Sequence, residues 1–463
     1  MILKLLKNSD AKLALLIGLP TILLIALGQI NISGKYFWVV FAVVFTIKII
    51  KNDVDGIIFV LLSNSPLIMI LREYAFFNVI VFIYLILFSF VFIKKKSIFD
   101  KLLVNYPFLL PAMLLFIFYY FASFLNTGVY SRNLRALEFL FTIVSVMWLY
   151  QNISKFKQFL SIFIFLSILY GLSALRYIGD YGRLGGIEYE TTFGATTIGN
   201  PIQIGILMSI AIFSLILDKS YWIKEYFSRN MIIALVAISF SLLLLSTSRA
   251  GWLFSALGWA VTFLLGSRNR FRMLMYISVL ALSFSLLQKT EYFEWAQKGI
   301  DRTFGSEKSL VGRTNGRSDQ WALAWTVFTE NGSNFIMGQG IGNGTDLYKS
   351  ESAGSSIYGS GKAKAWHSLF MQIIVETGII GLLIYLWLLF VIVSAIYANF
   401  KKDKLILSLI MFLGYIVIIF TTSGFDLLTG ILFGIGSAHG IRNRKNPKSF
   451  TMAGVSEHNV SSF

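Results

Sequence analysis

Long runs of Leu, Ile, Val and Phe, broken only by short polar or basic clusters, recur along the chain from residue 13 to residue 441. None alternates apolar and polar positions as a barrel strand would. A helix satisfies its backbone hydrogen bonds internally, as lipid demands, so these runs predict membrane helices. Candidate spans lie near 13–30, 36–50, 56–71, 75–93, 106–125, 134–150, 158–178, 201–217, 230–247, 251–266, 272–288, 367–397, 404–422 and 427–441. The predicted fold is therefore all-α: a polytopic transmembrane bundle of about 12–14 helices. Residues 1–288 would supply eleven helices, 289–366 one large extracytoplasmic loop, 367–441 the last membrane helices and 442–463 a basic cytoplasmic tail.

The polar interruptions set the orientation. Alternate connections hold basic clusters, among them Lys48 with Lys51, Lys94 to Lys96, Lys155 with Lys157, Arg268 with Arg270, Lys401 with Lys402, and Arg442 with Arg444. The positive-inside rule puts these, and both termini, in the cytoplasm. The opening stretch lacks a small-residue cleavage site and reads as a retained first helix. On the opposite side falls the loop 289–366, whose charges nearly balance. Within it Ser318 is placed to cap a short helix ending at Asn331-Gly332, with Trp321, Trp325 and Phe328 on one face, so that this helix is expected to lie on the bilayer surface. A Gly/Ser-rich run at 351–365 follows, with the composition of a flap.

Composition narrows the chemistry. With 56% hydrophobic and 14% charged residues, the chain is excluded from the soluble globular class, and its +17 charge sits between apolar runs, which argues against nucleic acid as a partner. Cysteine is absent and only His367, His439 and His458 are present, so thiolate chemistry is excluded and a histidine-rich metal site is not expected.

Three segments expected on the outer side carry arginine beside small residues: YGRLGG with Arg183, STSRAGW with Arg249, and VGRTNGR with Arg313 and Arg317. Guanidinium groups can fork onto a pyrophosphate, and small neighbours permit close approach. Each taken alone reads first as an arginine snorkelling to head groups; the weight comes from the three segments together, on the same side as His367. Arg249 is the sharpest, because a positive charge in so short an outer connection opposes the orientation rule. At the loop's end, Trp366, His367 and Ser368 meet a membrane helix whose N-terminus favours an anion. Imidazole suits proton abstraction from a sugar hydroxyl at neutral pH, while an interfacial aromatic is the plainer reading of His367. As one straight helix 367–397 would run about 46 Å against a core of about 30 Å, so it either projects or breaks at Gly378. Glu376 reads as a partner to the site or as a structural acid.

These segments, taken in order, resemble the O-antigen ligase and O-antigen polymerase superfamily of bacterial envelope proteins. The features that carry the likeness are RLGG and then Asn200-Pro201, Ser248 to Gly251, a Gly-Arg pair ahead of Trp321, Gly338, Gly340 and Gly342, and His367-Ser368 followed by Glu376, Gly378 and Gly381. The resemblance implies a metal-independent transferase without nucleotide or other cofactor, moving a glycan from an undecaprenyl-pyrophosphate carrier to an acceptor at the outer face of the bacterial inner membrane. It implies His367 as base and Arg249 with Arg313 or Arg317 on the pyrophosphate. Arg183, Ser368 and Glu376 would contact substrate. The acceptor would be a lipid-linked repeat unit for a polymerase, with a chain-length regulator as a further partner, or lipid A core for a ligase; the span count and loop favour the polymerase. A solute transporter is the reading from another class, disfavoured because the two halves show no matched breaks in their hydrophobic runs.

Overall fold

The computed structural model describes residues 8–71, 134–177, 187–191, 194–198, 200–217, 226–265, 317–330, 332–339, 368–403, 406–421 and 427–440, with a few isolated positions between them. The predicted spans 75–93, 106–125 and 272–288 fall largely outside these residues, as do most of the loop and the basic tail. Over the rest, the chain is a helical membrane bundle. Its helices are α1 (Ser9–Ala26), α2 (Ile30–Ile50), α3 (Val54–Ser63), α4 (Ser65–Leu71), α5 (Leu134–Tyr150), α6 (Ile153–Ser173), α7 (Pro201–Ile216), α8 (Arg229–Leu245) and α9 (Arg249–Leu265). Then come α10 (Arg317–Thr329), α11 (Gly332–Met337), α12 (Leu369–Asp403), α13 (Ile406–Thr421) and α14 (Leu427–Gly440). Among the described residues four helical segments are long and apolar enough to cross a membrane, and several shorter apolar helices accompany them.

Two local features depart from the expected pattern. The run 56–71 is not one straight span: α3 and α4 meet at a 67° bend around Asn64. The sequence there is Ser63-Asn64-Ser65-Pro66, and proline cannot continue the ladder of backbone donors. Asn64 covers the break by donating its side-chain amide to the Val60 carbonyl. Secondly, the segment before Asn200 contains an antiparallel hairpin, β1 (Ile187–Thr191) with β2 (Gly194–Ile198), the one sheet among the described residues. β2 packs against α4, so the bend and the hairpin are neighbours.

Close helix contacts rely on small residues. Gly430 and Gly434 of α14 lie against Thr142 and Val146 of α5, where a Cβ would come within 2.8 Å of either side chain. At one end of the bundle, Lys48 of α2 bridges Asp10 of α1 and Asp53, and Lys155 of α6 lies 3.3 Å from Asp55 of α3. Burial alone would raise the Asp53 carboxyl, but hydrogen bonds from Lys48 and the Gly56 amide hold it below the ordinary carboxylate range. The far ends of the same helices meet where Tyr177 donates to the Ile25 carbonyl at 2.6 Å. Charges thus gather at the end holding Lys48 and Lys155, as the basic clusters predict for a cytoplasmic face.

Candidate functional site

The site is built at the opposite end, from the amino ends of three helices. Asn200 caps α7, its side-chain oxygen accepting from the Ile202 amide at 3.0 Å, and Pro201 fills the first helical position, where no backbone donor is needed. α8 and α9 are joined by Ser246, Thr247 and Ser248 alone, the tight turn expected around Arg249. Thr247 takes a left-handed backbone with φ of 48°, and the hydroxyls of Ser246 and Ser248 accept from the amides of Ser248 and Gly251. Arg249 is therefore the first residue of α9, half-buried.

The serine-arginine-alanine-glycine motif is small because two backbones touch there. A Cβ on Gly251 would stand 2.8 Å from the Gly205 Cα, and one on Gly205 would stand 2.7 Å from the Ser248 Cβ. Ser209 secures the contact by hydrogen bonds to the Gly251 carbonyl at 3.1 Å and the Ser255 hydroxyl at 2.8 Å. Farther along, the Phe213 ring stands 6.1 Å from that of Phe254 and 5.7 Å from that of Trp259, so α7 and α9 run side by side with their amino ends together. Two helix N-termini, each with a partial positive charge, thus flank Arg249. Sequence inspection missed Gly205 and Ser209; the signal was a Gly-x-x-x-Ser step in α7 facing the Gly251 and Ser255 pair in α9.

The third amino end belongs to α12. Ser368 caps it, its hydroxyl accepting from the Met371 amide at 3.4 Å and donating to the Ile419 carbonyl of α13 at 3.3 Å. Phe254 of α9 meets Gly414 of α13, and both Arg249 and Ile419 lie five residues, about 7 Å, toward the same end from that contact. Ser368 and Arg249 are therefore level to within about one helical turn.

α12 breaks at Gly378, one of the two outcomes that the length of its apolar run allowed. Gly378 has φ 63° and ψ −164°, a backbone region open in practice only to glycine. The Tyr385 and Tyr415 hydroxyls are hydrogen-bonded at 2.6 Å. A straight helix would raise Ser368 about 25 Å above Tyr385, whereas Ile419 is only about 6 Å above Tyr415. The segment 369–377 consequently runs obliquely across the end of the bundle. Into this break fits the end of α11. Gly338 has φ 75°; a Cβ on it would lie 2.4 Å from the Glu376 carbonyl carbon, and one on Gly378 would lie 2.5 Å from the Ile336 carbonyl oxygen. The Gln339 amide donates to the Val375 carbonyl at 2.8 Å. Two glycines far apart in sequence form one backbone clasp.

The loop helix docks on the same segment. Ala324 and Val327 of α10 pack against Val375, and Phe328 against Ile374 and Leu382. The three aromatics expected on one face divide: Phe328 turns in toward α12 while Trp325 stays outward, and the helix starts at Arg317, one residue before the expected cap. Glu376 is buried and accepts from the Gln372 side-chain amide at 3.1 Å, a partner one turn earlier that sequence inspection did not single out. Arg183, Arg313 and His367 lie outside the described residues, although His367 is bonded directly to Ser368. Arg317 is placed as the first residue of α10.

Residues 234–386 match the family described as O-antigen ligase. This match, over about a third of the chain, supports membership of the O-antigen ligase and polymerase superfamily. The matched stretch includes Arg249, Arg313, Arg317, His367, Ser368, Glu376 and the Gly338–Gly378 clasp, and excludes Arg183 and Asn200. A comparison with curated proteins finds no match. The match points to a glycosyltransferase-type activity in surface polysaccharide synthesis, and the long apolar helices to an integral membrane protein.

Proposed function

We propose that the protein transfers an oligosaccharide from an undecaprenyl-pyrophosphate carrier to an acceptor sugar hydroxyl at the periplasmic face of the inner membrane, as a polymerase of O-antigen or a related surface polysaccharide. One observation carries the reading. The amino ends of α7 and α9 meet backbone to backbone around Arg249, level with the amino end of α12. Three helix N-termini and a guanidinium at one height suit a diphosphate.

In the proposed step the acceptor oxygen attacks the anomeric carbon, the bond from that carbon to the phosphate oxygen breaks, and undecaprenyl pyrophosphate leaves with the electron pair. His367 takes the acceptor's proton. Arg249 and the loop arginine, Arg313 or Arg317, stabilise charge on the departing diphosphate, and Arg183 contributes at the donor or acceptor. No metal or nucleotide takes part in this reading. Ser368 holds the start of α12 and Glu376 its break, so both act by placing the helix that follows His367.

Purified protein given a lipid-pyrophosphate glycan is expected to make a ladder of chain lengths. A single product formed only on lipid A core would make it a ligase. No transfer to either acceptor would overturn the reading. Arg249→Lys is expected to recover only a small part of the activity that Arg249→Ala removes, because one ammonium cannot reproduce the forked contact. A lysine variant with wild-type transfer would return Arg249 to a head-group role.

A further inference from the structure

We propose that α10 and α11 are seated in the boundary of the hydrocarbon layer at the Arg249 end of the bundle, with Trp325, Phe335, Ile336 and Met337 against lipid acyl chains. These four side chains are 55%, 41%, 49% and 56% exposed, on two short, consecutive helices. A soluble surface rarely leaves so many large apolar groups together. Their inner neighbours show what they adjoin. Trp325 and Phe335 both lie against the Phe328 ring, at 5.4 and 4.8 Å between centroids, and Phe328 packs on Leu382 of α12. From Leu382 the outward face of α12 continues through Leu383, Leu386, Trp387 and Phe390, all exposed and all within a membrane-crossing segment. The apolar groups around Phe328 therefore adjoin the lipid-facing side of α12.

Counting along α12 gives the depth. Lys401 and Lys402 mark its far end, and a core of about 30 Å spans about 20 residues, which reaches Gly381. The clasp fixes Ile336 and Gly338 against Glu376 and Gly378, within about one turn of that boundary. Lipid is thus the occupant at this height, and the seating holds the first residue of α10, Arg317, at a set distance from the bilayer. The proposal stands on packing alone and does not depend on the transfer reading.

The natural absence of cysteine makes the test direct. Ile336→Cys, Met337→Cys and, as a control at the exposed position just past the end of α10, Glu330→Cys would each be labelled with a polarity-sensitive fluorophore. The full-length protein would then be reconstituted in phosphatidylethanolamine and phosphatidylglycerol vesicles. Labels at 336 and 337 are expected to emit to the blue of the label at 330 and to be quenched several-fold more by a nitroxide near the top of the acyl chain. A nitroxide at the chain terminus should quench them less. Equal, water-like emission at all three positions would overturn the proposal. Blue emission that neither nitroxide quenches would overturn it too, since protein, such as a second copy, would then cover these side chains. Two independent labelled positions guard against one substitution disturbing the fold.

Discussion

Replacing His367 with glutamine is expected to slow glycan transfer by about 10²–10⁴-fold while leaving donor binding nearly intact. Glutamine keeps a hydrogen bond near the amino end of α12 but cannot accept the acceptor's proton, so it should behave like alanine. Donor binding, held by Arg249 and the helix amino ends around it, should persist. A cationic His367 clamping the diphosphate predicts the reverse: weaker donor binding and activity that rises as the pH falls. Binding of the lipid-pyrophosphate donor, measured beside the transfer rate at saturating donor, separates the two. Lost binding with a preserved rate would remove the base assignment.

The second large effect is expected at the clasp. Gly378→Ala places a side chain in a backbone region that costs about 1–3 kcal/mol by itself, and its Cβ would stand 2.5 Å from the Ile336 carbonyl oxygen. Either the loop helices lift from α12 or the break straightens, and in both cases the start of α12 moves relative to Arg249. The expected result is a large loss of transfer together with faster proteolysis within 317–339. Gly332→Ala is the matched control, because a Cβ there meets nothing within 4 Å. A Gly378→Ala protein as active and as protease-resistant as the Gly332→Ala protein would show that the clasp does not govern the site.

Much of this arrangement could be read from residues alone, and the reasons are specific. The turn at Arg249 was legible because two apolar runs leave only a few polar positions between them. The break at Gly378 was legible because the run 367–397 is too long for a bilayer and contains a glycine at the right depth. What lay between segments was harder. Gly338 reads as loop glycine until its contact with the Glu376 backbone is seen. The bend at Asn64 did leave a signal, Ser-Asn-Ser-Pro, but it sits inside an apolar stretch of about the length of one span. The hairpin 187–198 is too short for its alternation to stand out. Phe328 shares a helical face with Trp321 and Trp325, so periodicity alone could not show that it would turn toward α12 while Trp325 faced outward.

Burying Asp10 of α1 against Lys48 of α2 ties these two helices together. An unmatched charge at a protein–lipid boundary is costly, and removing one partner of a buried pair costs more than the pair contributes. Asp10 emerges first and waits for Lys48 some forty residues later. The pair can therefore form as soon as both helices have been made. Lys155 reaches Asp10 and Asp55 only once α6 has been made, so the full cluster also needs α6.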